Sequence, residues 1–136
     1  MAYEEKLSCI SLRAPSTALS GYQFRLVKAG TTEGTFIAGS TKAAGTRVSA
    51  VGVLQDAPTV SGEACAIATF NGGISKIVCG STKLSASKNF IMGVLGKAQS
   101  TASAVAQDYI YGPWLSAAGS TDSVGQACMN ILGITT

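Results

Sequence analysis

The side chains that could do chemistry are few in this chain, and their spacing favours no catalytic site. The 136 residues contain no histidine, so the commonest general base and metal ligand is missing. The seven carboxylates are spread along the sequence, and nothing selects a glycosidase pair such as Asp56 with Asp108. Ser75 and Lys76 are adjacent, and adjacent side chains on a strand point to opposite faces, so they cannot form a Ser–Lys dyad. We therefore expect a protein that is not an enzyme and has no cofactor.

The cysteines are the other reactive group, and there are four of them: Cys9, Cys65, Cys79 and Cys128. None belongs to a Cys-x-x-Cys pair, and a zinc site would need thiolates from four distant places. We therefore expect no metal site. Buried free thiols that behave as small hydrophobes are the favoured interpretation. A disulfide between Cys65 and Cys79 is the alternative, and it requires an oxidising environment.

The geometry of Cys65 and Cys79 depends on the stretch that connects them. Two apolar runs, Ala64–Phe70 and Ile74–Cys79, flank Asn71-Gly72-Gly73. Short β-prone runs around an Asn-Gly pair predict a β-hairpin. A three-residue loop would place Cys65 opposite Cys79, whereas a two-residue loop would shift the register by one and separate them. Both faces of this hairpin are apolar apart from Lys76, which predicts cover on both sides.

Composition indicates an all-β domain. Gly, Ala, Ser and Thr make up nearly half of the chain, and only 12% of the residues are charged. Seven or eight short apolar runs recur between turn-rich segments, which is typical of a small β-barrel, a β-tulip-like fold or a sandwich. We expect one β domain over residues 21–136 and an N-terminal arm over residues 1–20. The last strand is predicted over Gln126–Leu132, with Ala127, Met129 and Ile131 on one face.

The charge pattern and the N-terminus exclude several classes of partner. The net charge is +3, but no two basic residues are adjacent, whereas nucleic-acid proteins usually show a clustered basic stripe. No stretch is apolar enough to span a bilayer, and the first six residues do not resemble a secretory signal. We expect synthesis in the cytoplasm, with no nucleic-acid or membrane partner.

The N-terminal arm and an aromatic cluster are the two candidate contact sites. Pro15 breaks any regular structure that precedes it in the arm, and the arm would pack either on a neighbouring molecule or on its own domain. Tyr109, Tyr111 and Trp114 could stack a sugar or anchor a protein partner. Packing in the core is the favoured interpretation of these rings, because Tyr109 and Tyr111 fall on one strand face.

Four stretches stand out along the chain: Gly52-Val-Leu, Ser61-Gly-Glu, Asn71-Gly-Gly-Ile-Ser-Lys-Ile-Val-Cys-Gly and Tyr111-Gly-Pro-Trp-Leu-Ser-Ala-Ala-Gly. Together with the closing strand Gln126–Leu132, they resemble the capsid decoration (cement) proteins of tailed bacteriophages. The resemblance covers about residues 22–133. Its motifs consist of recurring glycines and apolar residues, and none of them is a catalytic motif. The sequence departs from the family at Gly96–Gln107 and at Gly112-Pro-Trp, where the family usually has Gly-x-Ala. The N-terminal arm has no clear match.

The resemblance implies a β-rich domain on the outer surface of a phage head, where it stabilises contacts between major capsid protein subunits. It also implies a homo-oligomer, since such proteins are often trimers. We assign the capsid contact to the arm, with four apolar anchors and one basic residue: Tyr3, Leu7, Ile10, Leu12 and Arg13. The alternatives are a β module of a phage tail, fibre or head-fibre base, and a small carbohydrate-binding module that uses the aromatic cluster.

Overall fold

Short antiparallel strands build the protein, as the composition predicts. The computed structural model describes residues 7–15, 17–39, 49–80, 84–104, 108–116 and 120–135. The described residues form eleven strands, more than the seven or eight expected, and no helix longer than one 3-10 segment of six residues. The strands are β1 (Cys9–Arg13), β2 (Leu26–Ala29), β3 (Phe36–Ala38), β4 (Gly52–Leu54), β5 (Ala64–Thr69), β6 (Ile74–Val78), β7 (Phe90–Met92), β8 (Ala98–Ser100), β9 (Tyr109–Tyr111), β10 (Val124–Cys128) and β11 (Ile131–Ile134).

Three antiparallel sheets make a sandwich-like fold. The strand orders are β1-β5-β4-β2-β3, β10-β6 and β11-β9-β7-β8. A bridge between Arg13 and Thr35 brings the two outer strands of the five-stranded sheet together at one end, so this sheet curls without closing into a barrel. A second bridge, between Cys79 and Ala98, connects the two smaller sheets.

The five-stranded sheet separates two apolar clusters, because side chains alternate between its faces. Leu26 and Val53 face the larger cluster, which the other two sheets complete with Phe90 and Trp114. The following residues on the same strands, Val27 and Leu54, face the second cluster together with Phe36, Cys65 and Ile67. The predicted cover on both faces is therefore confirmed for β5.

The hairpin predicted around Asn71-Gly72-Gly73 is wrong, although both of its strands exist. β5 pairs with β1 on one side and β4 on the other, so it has no free edge for β6. β6 pairs with β10 in another sheet. The turn itself is bonded to a distant segment: the Gly72 N–H donates to the Met129 carbonyl (2.8 Å), and the Met129 N–H donates to the Gly73 carbonyl (2.7 Å). The glycine turn thus carries the chain from one sheet to the next.

The expected opposition of Cys65 and Cys79 fails with the hairpin. Cys65 lies in the second cluster and Cys79 in the first, on strands of different sheets. All four cysteines are free thiols. Cys65 and Cys79 are buried as predicted, but Cys9 is exposed on an outer strand and Cys128 is half-buried.

The described part of the N-terminal arm folds on its own domain. β1 pairs with β5 over Cys9–Arg13, and a 3-10 helix over Thr17–Tyr22 follows it. Leu19 of this helix is buried in the second cluster. Residues 1–6 and Ser16 lie outside the described residues.

Candidate docking surfaces on two free strand edges

β1 exposes backbone hydrogen-bonding groups along its outer edge. The Thr69 N–H donates to the Ser8 carbonyl, and the Ala14 N–H donates to the Glu63 carbonyl, both over 2.9 Å. Because these groups alternate along an antiparallel strand, the even-numbered residues of β1 face β5, and Cys9, Ser11 and Arg13 face outward. The Arg13 N–H donates to the Gly34 carbonyl (2.8 Å). Among the described residues, Cys9 and Ser11 have no partner strand on that side.

The side chains of the predicted capsid contact divide between the surface and the core. Ile10 is 42% exposed, and Arg13 is exposed at the end of β1. Leu7 and Leu12 are half-buried and pack against the first and second clusters respectively, so they are not free anchors. Tyr3 lies outside the described residues.

A cavity of about 290 Å³ adjoins the end of β1. Arg13 and Pro15 contribute to one wall, and Thr32, Thr35 and Ser61 contribute hydroxyl groups. A partner strand that pairs with β1 would therefore end beside a basic side chain and a polar recess. Of the five predicted contact residues, Ile10 and Arg13 have exposed side chains, and these two lie on opposite faces of the strand.

β11 is another free edge among the described strands, and sequence analysis missed it. It pairs with β9 on one side, and no described strand pairs with its other side. Ile131, Leu132 and Ile134 are 48%, 51% and 38% exposed. The last charged residue of the chain is Asp122, so this edge lacks the charges that usually protect exposed strands from pairing.

The sequence around β11 predicts one continuous strand, whereas the structure has two strands there. The predicted last strand runs over Gln126–Leu132, with Ile131 on the same face as Ala127 and Met129. The chain instead leaves β10 after Cys128 and starts a new strand in another sheet. Ala127 and Met129 are fully buried, whereas Ile131 is exposed. The uncharged, aliphatic C-terminal stretch was the available signal for an apolar edge.

The aromatic cluster is a core element, as the favoured interpretation predicted. Tyr111 and Trp114 are fully buried. The Tyr111 ring stacks on Phe70 and Phe90, with centroid distances of 4.7 and 5.7 Å. Its hydroxyl oxygen accepts a hydrogen bond from the Ala50 N–H (3.1 Å), and burial raises the pKa of the phenol, so it stays neutral. A sugar platform built on Tyr111 and Trp114 is therefore wrong.

The groups weighed for catalysis lie in different environments. Asp56 accepts a hydrogen bond from the Ala66 N–H and so holds the start of β5, whereas Asp108 precedes β9 in another sheet. Ser75 is buried and its hydroxyl donates to the Lys76 carbonyl, whereas the Lys76 side chain is exposed. The described residues hold no group of three His, Cys, Asp or Glu side chains that could bind a metal.

Neither membrane-spanning helices nor similarity to known proteins assigns a function to this chain. Across the described ranges, no helix has the length and apolar character needed to cross a bilayer. No family model matches the chain, and no curated protein shows significant sequence similarity to it.

Proposed function

We propose that this protein is a capsid decoration (cement) protein that binds the outer surface of a tailed-phage head through the free edge of β1. The observation that carries the proposal is the outer backbone edge of Cys9 and Ser11, which no described strand pairs with, next to the exposed side chains of Ile10 and Arg13. An extended segment of the major capsid protein would add a strand to this edge. The backbone hydrogen bonds would supply affinity, and Ile10 and Arg13 would supply specificity.

Binding alone accounts for the cement role. A protein that binds the assembled head but not the separated subunits stabilises the head by mass action. Many copies on one shell act together, so each contact can be weak. Arg13 is suited to an acidic capsid surface because its guanidinium can bind a carboxylate through two hydrogen bonds.

The β11 edge supports the proposed self-association. If two copies paired antiparallel through β11, Ile131 would lie opposite Ile134, and Leu132 opposite Gly133. No like charges would meet, and aliphatic side chains would cover one another. This leaves β1 free for the capsid, so the two edges would serve two partners.

Co-sedimentation with undecorated phage heads tests the capsid proposal, with Ser11→Pro as the diagnostic variant. Proline removes the outward N–H of residue 11 but no hydrogen bond to β5, and edge positions whose N–H faces solvent tolerate it. We expect the wild-type protein to bind saturably and to raise the temperature of head disruption. Ser11→Pro should not bind, whereas the matched Ser11→Ala, which keeps the N–H, should bind like the wild type.

Two results would contradict the proposal. If the wild-type protein does not bind heads, the cement role is wrong, and binding to host cells instead would favour the tail or fibre alternative. If Ser11→Pro binds as well as Ser11→Ala, the docking edge is not β1. Thermal unfolding of both variants confirms that any loss of binding is not a loss of fold.

A further inference from the structure

A cavity of about 450 Å³ lies beside β6 and β10, and none of its lining residues belongs to β1 or β11. Its lining residues are Phe24, Lys76, Ser116, Val124, Gly125 and Gln126. Three of them carry polar side-chain groups, two offer apolar surface, and one is a glycine. The volume is in the range of small-molecule sites.

The polar groups of the cavity can all donate hydrogen bonds, and none is acidic. Lys76 is exposed, and the described residues contain no carboxylate paired with its ammonium group. The Ser116 oxygen accepts a hydrogen bond from the Gln126 N–H (2.7 Å), and no described residue accepts its hydroxyl proton, which can therefore be donated to a ligand. The Gln126 amide is exposed. This combination of a cation and neutral donors is suited to a carboxylate.

The apolar wall is formed by an aromatic residue in an unusual backbone conformation. Phe24 has φ of 61°, which is rare for a bulky side chain. Two backbone hydrogen bonds hold it there: its N–H donates to the Leu54 carbonyl (2.7 Å), and its carbonyl accepts from the Val78 N–H (2.8 Å). The ring lies beside the cavity with the Lys76 ammonium 5.5 Å from its centroid. Strain of this kind concentrates at binding sites.

The floor of the cavity is a glycine placed over the indole of Trp114. A Cβ at position 125 would overlap the benzo ring of Trp114, so a larger residue cannot fit without displacing the ring. The Trp114 Nε1–H is buried and has no hydrogen-bond partner among the described residues. Trp114 is also the only tryptophan of the chain, which makes it a reporter for this site.

We propose that the cavity binds a carboxylated sugar of the hexuronate type. Lys76 pairs with the carboxylate, and Gln126 and Ser116 bind hydroxyl groups of the ring. Phe24 and Val124 contact the C–H face of the sugar. The neutral lining around a single cation distinguishes this site from a general anion patch, which would carry several basic side chains.

Titration of the full chain with glucuronate, followed by tryptophan fluorescence and by backbone amide NMR shifts, tests this proposal. We expect saturable changes at Trp114, Lys76 and Gln126 with glucuronate, and none with glucose or acetate at the same concentration. A glucuronate-containing tetrasaccharide in parallel distinguishes the source: tighter binding of the tetrasaccharide indicates an acidic polysaccharide, and equal binding indicates the free sugar.

Lys76→Gln and Lys88→Gln provide the matched pair of variants. Both remove one exposed lysine, but only Lys76 lines the cavity. Loss of a charge-assisted hydrogen bond should weaken glucuronate binding about tenfold in Lys76→Gln, and Lys88→Gln should bind like the wild type. Equal responses to glucuronate and acetate, equal effects of the two substitutions, or no saturable response would each overturn the proposal.

Discussion

At the scale of single residues, the loop between β7 and β8 carries a strained apolar tip. Val94 and Leu95 are 54% and 45% exposed, and Leu95 has φ of 57°. A left-handed conformation costs an ordinary side chain about 1–2 kcal/mol, and glycine adopts it freely. Leu95 gains little burial in return, so this strain is not offset by packing of its own side chain.

We expect Leu95→Gly to stabilise the protein and Val94→Gly to destabilise it. Relief of the left-handed strain should raise the free energy of unfolding by about 0.5–1 kcal/mol in Leu95→Gly. Val94 has no positive φ, so its replacement by glycine only adds backbone entropy to the unfolded chain and should cost about 0.5–1 kcal/mol. Urea denaturation measures both values. Destabilisation of equal size in the two variants would contradict the expectation.

Residue-level predictions succeeded where the deciding physics is local. The failure of a Ser75–Lys76 dyad followed from strand alternation alone, and the structure buries one side chain and exposes the other. The packing of Tyr111 was favoured for the same reason. Ile131 was placed wrongly because alternation holds only within one strand, and the chain changes sheets at Met129 and Asn130.

At the scale of elements, the two edges of β1 should respond differently to proline. Ser11 directs its N–H outward, whereas Ile10 lies opposite Ile67 and directs its N–H into the β5 ladder. We expect Ser11→Pro to change the free energy of unfolding by less than about 1 kcal/mol. Ile10→Pro should lower it by about 1–3 kcal/mol, because it leaves the carbonyl of buried Ile67 without its partner.

Chemical denaturation of the two proline variants measures this difference. The result is independent of any capsid partner, so it tests the register of β1 even if the proposed function is wrong. A larger loss of stability in Ser11→Pro than in Ile10→Pro would show that the odd-numbered residues of β1, and not the even-numbered ones, face β5.

The hairpin error shows what sequence reasoning cannot reach at this scale. The bounds of β5 and β6 followed closely from their β-branched content and from the glycine turn between them. Their partners did not, because β5 pairs with β4, the strand before it, and with β1 from near the start of the chain, and not with the strand that follows it. Local patterns determine that a strand exists, whereas the number of edges competing for it is a property of the whole fold. The expected opposition of Cys65 and Cys79 depended on how the strands pair, so it failed although both strands were predicted.

At the scale of the whole molecule, close packing of backbones explains why small residues dominate the composition. A Cβ at Gly52 would overlap the Ala68 carbonyl on the neighbouring strand, and one at Gly96 would overlap the Leu26 carbonyl. The all-β class could be predicted because this pattern is distributed along the chain. The candidate surfaces could be predicted only in part: Ile10 and Arg13, named as contact residues, are exposed, but the β11 edge was not predicted, since an edge exists only after all sheets are assembled.

The last prediction concerns the β11 edge and the oligomeric state. Antiparallel pairing of two β11 strands is two-fold symmetric, so we expect a dimer in solution. Leu132→Lys places a charged side chain on that edge, and it should shift the population to monomers because lysine on an edge strand opposes pairing. Val60→Lys is the matched control, since Val60 is 57% exposed in the loop before β5. Sedimentation velocity measures the mass of all three proteins. A monomeric wild type, or a dimer that Leu132→Lys does not weaken, would show that β11 is not a contact between copies of this chain.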